Sequence, residues 1–282
     1  MVVDCCEEPK ARHSSTQLFV SQEDRVPMRV GGPLEYAGCV GCVRQTVRVT
    51  TMTPRDARTF WKALMDNASA LIADAHVLLN ADSFGRARSL TVLAQEELGK
   101  ALWIYDAFES SWSAGDNESR KVDRLAKHGR DHVQKFLEAF VYGDELARFW
   151  GDYSHLDQRQ AGESWEDAWM RQEAAAEAAA KDANIAKQLG FYVDRTKSGV
   201  ITSPTEVQSG TVADDLQVAA QVVEMLLIRD HSRMKMEAVT EYDSTHAQQF
   251  RLLPTSHPED WAAVSESFPR EVDAQDESEP ES

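Results

Sequence analysis

The sequence predicts an all-α protein, a helical bundle of about five helices with a small β-hairpin insertion near 191–204. Three observations carry that expectation. Apolar residues recur every three and four positions over long stretches between residues 53 and 240. Capping residues stand at the head of several of these stretches, and glycines or short polar loops close them. With 282 residues, the chain is long enough to bury a sizeable core.

Residues 1–52 show no sustained period and contain Pro27, Gly31, Gly32, Pro33, Gly38 and Gly41, so they read as an irregular or dispensable arm with one strand at Val43–Thr51. From Thr53 the pattern turns helical. Thr53-Pro54-Arg55-Asp56 supplies an N-cap, a proline at the first helical position and the acid of a capping box. Leu64, Ala68, Leu71, Ile72, Ala75, Leu78 and Leu79 then form a stripe to about Asn80. Asp82-Ser83 opens a second helix after a turn so short that the two helices must lie antiparallel. Its apolar positions are Leu90, Leu93, Ala94, Ala101, Ile104 and Phe108. After the loop Ser113–Glu118, a third helix carries Val122, Leu125, Val133, Phe136, Leu137 and Phe140 to Gly143. Residues 144–162 read as a loop with a short helix. Ser164 opens a fourth helix that ends near Leu189 at Gly190. Phe191–Val193 and Val200–Ile201 suggest strand, turn and strand, and a fifth helix runs from about Val212 to Thr240. The domain 53–240 is thus flanked by the arm 1–52 and by a tail, 241–282, expected to be acidic and disordered.

The formal net charge is −17, but it is unevenly spread. From Glu259 to Ser282 nine acids face Arg270 alone, a local balance of −8. Residues 120–135 run the other way, with six Lys/Arg against two Asp and with His128 and His132 added. The overall acidity excludes broad electrostatic binding of nucleic acid and leaves a local cationic strip. No apolar run approaches the roughly 18 residues of a membrane span, so no membrane partner is expected. The N-terminus lacks the features of a secretory signal, and four cysteines are too few for a disulfide scaffold, which together favour a cytoplasmic location. Cys39-Val-Gly-Cys42 has zinc-knuckle spacing but lacks a regularly spaced second pair, and no metal or cofactor is expected.

On a helical wheel for helix two, Glu97 falls in the middle of the apolar arc, with Arg86 inside it and Lys100 on its flank. A buried carboxylate needs a partner, because burying it alone costs several kcal/mol. Glu96 and Lys100 stand in the favourable i,i+4 order of an exposed surface pair. On helix three, His128 and His132 are four apart and would stack on one side, with Arg124 and Lys135 beside them. Asn67 and Asp74 occupy the equivalent edge of helix one.

The run Gly85-Arg86-Ala87-Arg88-Ser89-Leu90, continuing through Ala94-Gln95-Glu96-Glu97-Leu98-Gly99-Lys100-Ala101, resembles the AbiV family of abortive-infection proteins. Leu71–Ala75 precedes it, and His132-Val-Gln-Lys135, Gly190–Asp194 and Pro204 follow in the family's order. The resemblance covers about residues 57–240. It implies a helical HEPN-type domain, a role in bacterial defence against phage, and a homodimer. Many HEPN proteins are metal-independent RNases with a Glu-x-x-x-Lys element and an Arg-x(4–6)-His motif. Glu96-x-x-x-Lys100 matches the first. The second is not formed around His128 or His132, while Arg148–His155 and Arg251–His257 fit its spacing only as often as chance allows.

Two functions follow as expectations. The first is a sensor or effector that binds a phage or host component, with the polar residues forming a network that holds the bundle. The alternative is an endoribonuclease with RNA as substrate. In it His132, or His128, acts as base, Arg124, Lys127, Arg130 or Lys135 holds the scissile phosphate, and Glu97 with Lys100 orders the site.

Overall fold

The computed structural model describes residues 50–149, 160, 162–237 and 244–262. The expected arm up to residue 49, with its Cys39/Cys42 knuckle, and the tail beyond 262 lie outside these residues. Helix α1 spans Pro54–Asn80, and the Thr53 side chain caps it as expected, accepting the Asp56 N–H at 3.1 Å. The turn Ala81–Ser83 reverses the chain into α2, Phe84–Ala114, although Ser83 makes no side-chain cap. Gly115 closes α2 in the left-handed conformation, at φ 68°. Two short strands, β1 Thr51–Met52 and β2 Arg120–Lys121, pair antiparallel behind it.

The expected third helix is two helices, α3 Asp123–His128 and α4 His132–Phe149. Asp131 breaks it by starting a new helix: its side chain accepts the Gln134 N–H at 3.1 Å and its carbonyl accepts the Lys135 N–H at 3.2 Å. His128 and His132 therefore end one helix and begin the next rather than stacking on one face. Helix α4 also extends into the segment read as a loop. Helix α5, Trp165–Leu189, begins at the expected Ser164 cap, whose hydroxyl accepts the Asp167 N–H at 3.1 Å.

The β excursion is present with its pairing displaced. Strands β3 Asp194–Arg195 and β4 Ile201–Thr202 pair antiparallel, and a 3-10 turn at Pro204–Glu206 leads to α6, Val212–Glu237. The described part of the expected tail is folded: α7, Gln248–Ser256, buries Leu252, Thr255 and Ser256 and packs on α6 and α1. The acidic residues around it had hidden it, because its apolar residues are few: Leu252 is buried while Phe250 stays exposed.

Helix α2 is the axis of the fold and packs against α1, α4, α5 and α6. It is accordingly buried nearly all round, from Ala87 to Trp112. Trp61 of α1 meets Tyr105 and Trp112 of α2 at centroid distances of 5.7 and 6.1 Å, and Phe108 stacks on Trp112. A buried ionic node lies against this aromatic cluster. Asp230 of α6, fully buried, takes Arg58 at 2.6 Å, Arg233 at 3.0 Å and His246 at 2.8 Å. Arg58 also lies over the Trp61 and Trp112 rings, 4.7 and 5.2 Å from their centroids.

Candidate functional site

Glu96 is the polar centre of the bundle. Its side chain is 3% exposed and receives donors from two other helices. From α4 come His132 Nδ1, 2.6 Å from Oε2, and Lys135 Nζ, 3.0 Å from the same oxygen. From α5 comes Lys187 Nζ, which binds Oε1 and stands 3.1 Å from His132 Nδ1. Lys135 and Lys187 are as deeply buried as the carboxylate, whereas the His132 side chain is 52% exposed.

Two glycines make this convergence possible. A Cβ on Gly99 would lie 1.8 Å from the Lys135 carbonyl oxygen, so the α2 and α4 backbones touch one turn from Glu96. A Cβ on Gly190 would lie 2.1 Å from the Gly85 carbonyl oxygen, which brings the end of α5 onto the start of α2. Ser89 reinforces the second crossing, with its hydroxyl 2.9 Å from the Lys187 carbonyl and 3.0 Å from that of Gly85. Gly99 of the Leu-Gly-Lys element and Gly190 at the end of α5 thus position the lysines that neutralise Glu96.

Burial alone would raise the Glu96 carboxyl, but hydrogen bonds from Lys187, His132 and Lys135 outweigh it and hold the group below its ordinary value of 4.5. An ionised carboxylate only accepts, so His132 gives its Nδ1 hydrogen to Glu96, and its Nε2 takes no part in that contact. The centre is a buried carboxylate with two ammonium groups, net positive, and a histidine at its mouth.

Only part of the expected site assembles here. His132 and Lys135 reach the centre, and Glu96 anchors it instead of pairing with Lys100. Glu97 is not the buried acid: it lies at the partly exposed edge of α2, 2.6 Å from Lys100. The wheel chose the wrong glutamate because it assumed one buried stripe, while α2 has partners on several sides. Arg86 is exposed and reaches Ser83, at 3.4 Å. Arg124 is engaged with Glu138, and Lys127 and Arg130 are exposed. His128 ends α3 with its ring 6.4 Å from that of Trp103. Asn67 and Asp74 are exposed on α1.

The two spaced Arg–His pairs bring nothing to this centre. Arg251 contacts Gln248 and His257 contacts Glu224, while His155 lies outside the described residues. Lys187 was missed because a lysine in the last turn of a helix reads as a surface group favoured by the helix dipole. Its one signal is spacing, seven residues after Ala180 on the inward side of α5. Among the described residues, no group of three His, Cys, Asp or Glu side chains is arranged to hold a metal ion.

No curated protein and no solved structure matches the chain. The family model of AbiV, an HEPN domain, matches residues 56–224. That stretch is more than half of the chain and contains Glu96, His132, Lys135 and Lys187 of the centre and Gly85, Ser89, Gly99 and Gly190 of its two crossings. The chain belongs to the AbiV family, whose role is abortive-infection defence.

Proposed function

We propose that the protein is an abortive-infection effector that acts by binding a phage or host component, with the Glu96 centre locking α2, α4 and α5 together. One observation carries this reading: the two lysines nearest His132 are buried and committed to Glu96. Cations held this way cannot reach a scissile phosphate without breaking a buried pair, a loss of about 3–5 kcal/mol. Phage challenge of cells carrying His132→Ala tests it. Binding predicts that protection survives, because the exposed imidazole is removable while Lys135 and Lys187 still neutralise Glu96. Loss of protection by a folded His132→Ala protein refutes the reading.

A specific observation favours the endoribonuclease as second reading. Glu96 orients His132 through Nδ1, which leaves Nε2 able to take the proton of a 2′-hydroxyl, as a general base requires. Lys127 and Arg130, both exposed on the same segment, would then hold the phosphate in place of the buried lysines. This reading requires that His132→Ala abolish both RNA cleavage and protection.

A further inference from the structure

The segment that follows α7 builds a cavity beside α6. It makes one further helical turn, closed by the Trp261 N–H on the His257 carbonyl at 2.9 Å. Leu253, His257, Asp260 and Trp261 line a cavity of about 270 Å³ whose walls are mainly apolar. A second compartment of about 160 Å³, mainly polar, shares His257 and Asp260 with it and adds Gln217 of α6 and Glu259. The backbone beneath is pinned. Gln217 and Gln221 donate to the Ser256 carbonyl at 3.3 and 3.0 Å, and Thr255 meets His76 of α1 at 3.0 Å. All four residues of the larger cavity lie beyond residue 224, the last that the family model matches.

Charge and shape select the ligand. His257 Nε2 stands 2.9 Å from Glu224 Oε2, so that carboxylate is already engaged. Glu259 and Asp260 are exposed and meet no cation among the described residues. They also open the stretch in which nine acids face Arg270 alone. Such a rim repels phosphates and carboxylates and attracts an ammonium group. Trp261, 39% exposed, supplies the ring type that attracts a cation most strongly through its face, and with Leu253 it gives an apolar wall. Size narrows the class further. The larger cavity falls just below the roughly 300 Å³ at which pockets for drug-sized ligands begin, so it suits a single ring.

We infer that this cavity binds a small primary amine with an aromatic body. The ring lies against Leu253 and Trp261, and the ammonium occupies the polar compartment between Asp260, Glu259 and the Gln217 side chain. The ligand thus joins the segment after α7 to α6 and stabilises that docking by mass action. None of these residues belongs to the Glu96 centre, and the inference stands whichever activity that centre has.

Isothermal titration calorimetry of the full chain with 2-phenylethylamine tests it. The expected dissociation constant is about 0.1–1 mM, within reach of a ligand of about nine non-hydrogen atoms. 2-Phenylethanol, its uncharged counterpart, binds about fivefold to tenfold more weakly, and phenylacetate does not bind. Trp261→Ala weakens the amine about tenfold, with helicity by circular dichroism unchanged. Glu259→Gln combined with Asp260→Asn, both at the surface, weakens it by a similar factor. No saturable binding of the amine up to about 10 mM, equal affinity for the alcohol, or an affinity indifferent to either variant overturns the inference.

Discussion

Replacing Gly99 with alanine adds one methyl group where the α2 and α4 backbones touch. That Cβ would sit 1.8 Å from the Lys135 carbonyl oxygen, and the neighbour is backbone, so no side chain can swing aside. Reaching even 3.0 Å requires α4 to retreat by about 1.2 Å, the difference of the two distances. Overpacking of this kind costs about 1–3 kcal/mol, and a clash with backbone belongs at the upper end. Alanine returns about 1 kcal/mol of helix propensity, leaving a net loss of about 2 kcal/mol. For a domain of this size that is about 4–8 °C in melting temperature. The retreat also draws Lys135 away from Glu96, its partner at 3.0 Å. Thermal unfolding followed by circular dichroism measures the effect. A Gly99→Ala protein as stable as the parent, or more so, would refute the close crossing of α2 and α4 and the role given to this glycine.

Neighbouring glutamates should differ sharply. Glu96→Ala strands Lys135 and Lys187 as buried charges and should lose about 3–5 kcal/mol, while Glu97→Ala removes only a partly exposed i,i+3 pair and should lose about 0.5 kcal/mol or less; urea denaturation compares the two. Asp230→Ala breaks the node joining α1, α6 and the segment before α7, and should lose a similar 3–5 kcal/mol, with limited proteolysis showing α7 released first. Stability should also fall in acid. Glu96 and Asp230 are both held below their ordinary values, so each stabilises fully above about pH 5 and loses that contribution as pH drops through its lowered folded value. Asp106 and Asp215 are raised by burial and work in the opposite sense. Denaturation midpoints measured from pH 7 down to pH 3 should decline below about pH 4.5, and Glu96→Gln should flatten that decline.

Much of the fold was legible residue by residue. Thr53 and Ser164 cap the helices they were expected to cap, because capping joins atoms three residues apart and needs no tertiary partner. The order of the long helices, the tight α1–α2 turn and the hairpin before α6 follow from the same local chemistry. Two local signals were misread. Asp131 is as good a cap as Thr53, yet the apolar pattern on both sides of it read as one continuous helix. The segment 244–262 was given to the tail, although Leu252 is nearly fully buried.

By itself the sequence determined where α1 and α5 start and stop, and the family signature from Gly85 to Lys100. Only the tertiary structure decided which glutamate of that signature is the centre. Glu96 and Glu97 are adjacent, and a helical wheel separates them by only about 100°. The choice depends on what covers each direction, and α4 and α5 close over Glu96 while the side of Glu97 stays partly open. Lys187 lies 91 residues from Glu96 along the chain, so no local pattern could pair them. Burial is a property of the assembled helices, and a buried charge finds its partner only after they meet.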